Sequence, residues 1–369
     1  MRVRCASCRL AQIAIFALAI AAAQDRAPVN GDGGPALQAY INGPAGVALD
    51  VEGNVYVVER VGRRIRRIDA KTEVITTVAG NGKGCCFEEG ESADSVALRY
   101  PMAVSIDKDR NIYVADSISR IRRVDSKTGL MTTVLRQIMA FKGPDPGNFP
   151  YLPSREQIWG LAINSSDPKS ALYVLSQTGQ IYRILNGSMT TFFGEGQHGY
   201  DKRDPSLLHS PLGISVDASG NVLLADNGGC RILRVDAISK SLSTVAGTGE
   251  CKAGVEGGPA SLTTIHHPFA ITVDAQGNVY FSDNSPSCVH RIDAQTMTIW
   301  SVPGTCETKP GKTGGPSSLA ADNHGNLYFT LWGSNVVRRV DVRTGVVATV
   351  AGKGLSQDSS RKRIDAFFP

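Results

Sequence analysis

One unit is written six times along this chain, and no other feature restricts the fold as much. The tetrapeptide TVAG stands at 77–80, 244–247 and 349–352. Aligned backward from it, three long copies appear: PAGVALDVEGNVYVVERVGRRIRRIDAKTEVITTVAG from Pro44, PLGISVDASGNVLLADNGGCRILRVDAISKSLSTVAG from Pro211, and PSSLAADNHGNLYFTLWGSNVVRRVDVRTGVVATVAG from Pro316. Copies with diverged ends begin at Pro101, Ile158 and Pro268. The landmark residues Asp50, Asp107, Asn164, Asp217, Asp274 and Asp322 are separated by 57, 57, 53, 57 and 48 residues. A unit of that length holding several short strands indicates a propeller or a similar array.

Each copy reads as four strands. In the fourth, GISVD and NVLLAD are apolar runs joined by a hairpin at Gly220 and Asn221, residues that tolerate positive φ. RILRVD follows as a third strand and SLSTVAG as a fourth. The third is the more polar, as expected toward the outside. A four-stranded sheet with two apolar faces cannot bury both alone, but a ring of such sheets covers them. The expected class is all-β, a six-bladed β-propeller of four-stranded antiparallel blades. The blades should span about 44–80, 101–135, 158–194, 211–247, 268–304 and 316–352, after a leader at 24–43 and before a tail at 353–369.

The pattern P-x-G-[VI]-x-[VI]-D-x-x-G-N-[VIL]-Y-[VF]-[AS]-D, followed by R-[IV]-x-R-[VI]-D, resembles the NHL repeat, and it covers most of the chain from Pro44 to Gly352. The leader NGDGGPALQAYINGPAG resembles the segment that precedes such repeats in exported bacterial proteins. The resemblance implies six blades. WD and double-glycine signatures do not recur in register. The tail ends at Pro369, 17 residues after Gly352, the same interval that separates Gly194 from Pro211. The tail therefore resembles another repeat's leader and is expected to lie near 28–43 and help close the ring.

The first 23 residues differ in kind. A basic start is followed by LAQIAIFALAIAAA, the length of a signal-peptide core, with alanines before Gln24 as a cleavage site. Cleavage and export to a periplasmic or extracellular space are expected, with an uncleaved anchor as the alternative. Removing Arg2, Arg4 and Arg9 lowers the net charge from +5 to +2, too weak a bias for nucleic acid or an anionic membrane. A monomer is expected. Export permits disulfides. Cys230 and Cys251 fall in the two upper loops of blade four, and Cys288 and Cys306 in those of blade five, so bridges 230–251 and 288–306 are expected. Cys85-Cys86 is left open between a vicinal bridge and free thiols.

Residues repeated in every blade are poor catalytic candidates, because one reaction does not need six copies of a group. Arg67, Arg123, Arg183, Arg234, Arg291 and Arg339 share one register and are expected to be structural, bonding between blades. Asp50 and its equivalents precede tight turns and read as Asx-turn formers. Asp116, Asp226 and Asp283 end second strands on the upper face, where they either cap the loop or face a ligand or metal. His209 and His267 sit at equivalent positions, one to two residues before blade-opening prolines. Peptide-amidating lyases resemble NHL proteins and use histidines of several blades around zinc, but a third such histidine is missing here. A lactonase-type site would draw on Glu59, Asp116, Asn227, Asp283 and Asn284, types that belong to the repeat itself. No GxSxG elbow or P-loop is present.

Blade three breaks the pattern most. It lacks the landmark Asp and follows an aromatic- and proline-rich connection. Tyr100, Phe149, Tyr151, Trp159 and Trp332 form either an aromatic binding rim on the upper face or a plug in the channel. The reading is a non-catalytic scaffold that binds a protein, peptide or glycan through upper-face loops, with Tyr100, Trp159, His209, His267, Trp332, Asp116, Asp226 and Asp283 as candidate contacts. No metal or cofactor is expected under that reading. The alternative is a metal-dependent propeller enzyme, a lyase or lactonase using Zn or Ca at the channel mouth.

Overall fold

The computed structural model describes residues 31–84, 89–116, 120–137, 151–152, 157–164, 170–194, 208–254, 256–284, 287–306 and 315–354. The signal segment, Cys85, Cys86, Phe149 and the tail beyond 354 lie outside the described residues, and with them the expected cleavage site and tail closure.

Six antiparallel sheets follow one another, each holding four blade strands in sequence order. Blade one comprises Pro44–Leu49, Val55–Glu59, Arg64–Ile68 and Ile75–Ala79. Blade two runs from Ala103–Ile106 to Leu130–Gln137, and short segments at Glu91–Ser92 and Tyr151–Leu152 add to its outer strand. Blades three to six open at Ile158–Ile163, Pro211–Val216, Ile271–Val273 and Pro316–Ala321, and blade six closes at Val347–Ala351. First strands of neighbouring blades pack on one another around the ring, including blade one on blade six. The fold is a closed six-bladed propeller.

The burial follows from this stacking. Second strands such as Val55–Glu59 and Val222–Asp226 are buried at every position because a blade covers each face. The apolar clusters lie between blades: Tyr56, Val58 and Ile65 of blade one meet Val104, Ile112 and Val114 of blade two. One expectation fails here. The third strands are mostly buried despite their arginines, and the fourth strands, such as Leu242–Ala246, carry the exposed edge.

The recurring TVAG has a mechanical explanation. Its glycines Gly80, Gly247 and Gly352 sit at φ +88°, +92° and +97°. A Cβ there would stand 2.4 Å from the carbonyl oxygens of Arg63, Cys230 and Asn335 respectively. Their N–H groups donate to the leader carbonyls of Ala93, Ala260 and Ala36 at 2.8–3.1 Å. Each glycine thus ends a blade and ties it to the leader of the next. The third tie joins the end of blade six to the leader of blade one. Gly43 N–H donates to Asn335 Oδ1 and Val47 N–H to Ser318 Oγ, both at 3.0 Å, across the same seam. The ring closes as its other seams do.

Candidate functional site

Repeated carboxylates occupy two levels of each blade, and both bond to the protein itself. At the lower level, Asp50 accepts the Asn54 N–H, the Asn54 side-chain amide and the Tyr56 hydroxyl at 2.8–3.0 Å. Asp274 repeats these contacts with Asn278 and Tyr280. Burial, reinforced by the aspartate, pushes the Tyr56 and Tyr280 hydroxyls well above the usual phenol range, and Tyr113 up to about 12. The register arginines serve this level within their own blade: Arg67, Arg123 and Arg291 pair with Asp69, Asp125 and Asp293 at 2.7–2.9 Å. The inter-blade bonding expected of them is not what these three make.

At the upper level, Glu59, Asp116, Asp226 and Asp283 end second strands and are almost wholly buried. Asp226 Oδ1 accepts the His209 N–H at 2.6 Å, and Asp283 Oδ2 accepts the His266 N–H at 2.9 Å. Asp116 likewise accepts the Arg99 N–H and pairs with Arg120. Each carboxylate pins the segment entering its own blade, 17 residues earlier in the chain. Burial raises Asp226 above its ordinary range, opposed by Arg231 at 3.0 Å. Glu59 is pushed up to about 7 by burial, although Arg66 lies 2.9 Å away. These contacts also correct a pairing: the equivalent of His209 is His266, and His267 corresponds to Ser210.

The channel mouth opens into a cavity of about 900 Å³. Its wall is built from two positions of the repeat. The residue following the second strand contributes Arg60, Gln177, Asn227 and Trp332. The residue after the blade-opening position contributes Ala45, Met102, Trp159, Leu212, Phe269 and Ser317. In four blades the ladder between first and second strands slips at this second position, as between Ile158 and Gly160. Such bulges release one residue from the ladder and re-aim it. Below lies a ring of the smallest residues, among them Gly46, Gly160 and Gly213. A Cβ at Gly213 would stand 2.6 Å from the Phe269 carbonyl oxygen, so the blades approach too closely for a side chain there. Val47, Val104, Leu161, Ile214, Ile271 and Leu319 make an aliphatic floor.

Among the candidate contacts, Trp159, His209, His267 and Trp332 line this cavity. Tyr100, Asp116, Asp226 and Asp283 are not part of its wall. Tyr100 is half-exposed on the rim, 5.1 Å from the Arg63 guanidinium. Sequence reasoning missed Arg60 and Gln177. The available signal was the repeat alignment itself: this position reads Arg60, Ser117, Gln177, Asn227, Asn284 and Trp332, with Arg60 and Trp332 departing from the small polar and amide residues of the other blades.

Arg60 is half-buried, and its guanidinium carbon lies 5.9 Å from the Trp332 ring centre. Burial pushes its pKa down. No carboxylate lies within ion-pair distance of it among the described residues. The disulfides Cys230–Cys251 and Cys288–Cys306 are formed, and Cys251 stands on the cavity wall. Cys230, Cys251 and His267 are the one group of three metal-ligand types drawn together among the described residues, but the bridge occupies both sulfurs. His267 Nδ1 is 3.1 Å from the Asn227 carbonyl.

No protein-family model matches the chain. Chicken NHL repeat-containing protein 2 is 26% identical over 304 residues, covering 72% of this chain and 41% of the relative. The six copies of this repeat and that similarity together support the NHL-repeat family. The chain belongs to the NHL-repeat family. This NHL propeller spans less than half the length of the first curated relatives it matches. Its backbone superposes on a Bacteroides thetaiotaomicron protein of unknown function with a TM-score of 0.61 at 16% identity, covering 84% of this chain and 72% of the other. A streptogramin B lyase gives 0.52 at 15%, covering 84% and 82%. At such identities the likeness concerns the fold alone.

Proposed function

We propose that this NHL propeller is an exported binding platform that holds a protein, peptide or glycan at the mouth of its central channel without turning it over. The observation that carries this reading is the cavity of about 900 Å³ walled by Trp159, Trp332, Arg60, Gln177 and Asn227. Aromatic anchors in a pocket, beside a few polar groups, are the composition of recognition sites. The two disulfides accord with an oxidising compartment. Among the described residues no helix is long and apolar enough to cross a membrane.

The test is an array of peptides and glycans probed with the wild-type chain and with the Trp159→Ala/Trp332→Ala double variant. Hits lost in the variant support the reading. Hits unaffected by both substitutions, or any hit chemically converted on incubation, overturn it. Export is tested by expressing the full chain: the mature protein should begin at Gln24.

The enzyme alternative has one observation in its favour: His209 and His267 both line the wall. Against it, three of the carboxylates a lactonase-type site would use, Glu59, Asp116 and Asp283, are buried within their blades. Metal analysis of purified protein separates the two, since stoichiometric zinc or calcium would favour the enzyme.

A further inference from the structure

The wall of the channel mouth carries no Asp or Glu side chain among the described residues. That is unexpected in a protein with 34 acidic residues and an acidic position at the top of four second strands. Those carboxylates have been drawn into the blades, where Glu59, Asp116, Asp226 and Asp283 hold backbone and arginine. Among the described residues, what remains at the mouth is one permanent cation, Arg60, beside neutral side chains and two histidines.

A guanidinium that is half-buried without a counter-ion loses hydration without a compensating pair. Arg60 recovers part of this from the Trp332 ring, whose centre lies 5.9 Å from its guanidinium carbon. No side-chain hydrogen bond or ion pair engages the Arg60 guanidinium among the described residues, so its N–H fork is open to a two-pronged acceptor, the geometry of a carboxylate. The charge is single, which suits a monoanion better than a phosphate monoester bearing nearly two charges. Around and below it lie aromatic and aliphatic side chains, from Trp332 down to Leu319 and Val47.

We propose that the channel mouth selects a ligand carrying one carboxylate on an apolar or aromatic body, with the carboxylate on Arg60 and the body against Trp332 and the aliphatic floor. This rests on the reading of the same cavity as a binding platform. A free organic acid and the C-terminus of a peptide present the same chemistry, and the test tells them apart.

The experiment is calorimetric titration of the full chain with three near-isosteric probes, indole-3-acetate, indole-3-acetamide and tryptamine. The acetate should bind about tenfold or more tighter than the neutral amide, and the cationic amine weakest. Arg60→Gln should erase the gap between acetate and amide, and Arg60→Lys should keep part of it. Equal binding of acetate and amide, preference for tryptamine, or no binding of any probe at millimolar concentration overturns the proposal. Equal binding that disappears in Trp332→Ala removes only the charge rule and leaves the platform standing. Array hits indifferent to Trp159 and Trp332 remove the platform whatever the probes do. A short peptide ending in Phe, compared with its C-terminal amide, identifies the source. The same preference assigns chain termini, and its absence beside a retained acetate preference assigns small acids.

Discussion

The upper loops and the channel mouth are built from adjacent residues of the same repeat, yet they behave oppositely. Glu59 is buried, ion-paired and part of the blade; Arg60, one residue on, lines an open cavity and has no carboxylate beside it among the described residues. Asp226 holds the entry of its blade, whereas Asn227 stands on the cavity wall. Five of the six blades keep the first of these positions polar and buried, with Leu331 in the sixth, and the second varies. Under the proposed function, framework and recognition are separated by one step along the backbone.

The largest effect that would sharpen this contrast lies in the framework. Arg66 is fully buried between Glu59 at 2.9 Å and Asp32 at 2.6 Å. Arg66→Met leaves buried carboxylates without a cation and should destabilise by about 3–5 kcal/mol. Denaturant titration measures the loss, and adding Glu59→Gln should recover part of it. A loss that Glu59→Gln does not relieve would break the assignment.

A smaller effect depends on pH. Burial pushes His290 down to about 4, with Asp283 at 3.8 Å and Glu256 the charged groups that face it. The unfolded chain then takes up a proton near pH 6.5 that the folded chain refuses until about pH 4. Stability should therefore fall by about 3 kcal/mol as pH drops through that window, the stabilisation being intact above it. His290→Gln should flatten this part of the curve; an unchanged slope contradicts it.

Smaller again is the turn anchor. Asp274→Ala removes a partly buried set of hydrogen bonds to Asn278 and Tyr280 and should cost about 1–2 kcal/mol. The smallest expected change is at the mouth: Arg60→Gln should move stability by less than about 0.5 kcal/mol, because nothing in the framework depends on its charge.

The architecture was legible because its causes are periodic. Alternating apolar strands, hairpin glycines and the landmark aspartates recur, and both disulfides follow from matched loop positions. The site was half legible. Trp159 and Trp332 stand out as rare large residues in a monotonous unit. Arg60 did not, since the segment around it is crowded with other arginines, and only the ring geometry shows which one faces the cavity. Asp116, Asp226 and Asp283 read either as loop caps or as contacts for a ligand or metal, because a strand end on the upper face permits both. Only coordinates reveal that the entering loop lies over each of them and uses its carboxylate.

The most direct measurement sets Asp274→Ala beside Arg60→Gln, each assayed for stability and for indole-3-acetate affinity. The account predicts that the first unfolds more easily and binds normally, while the second folds normally and binds poorly. If stability and affinity decline together in either variant, framework and recognition are not separate.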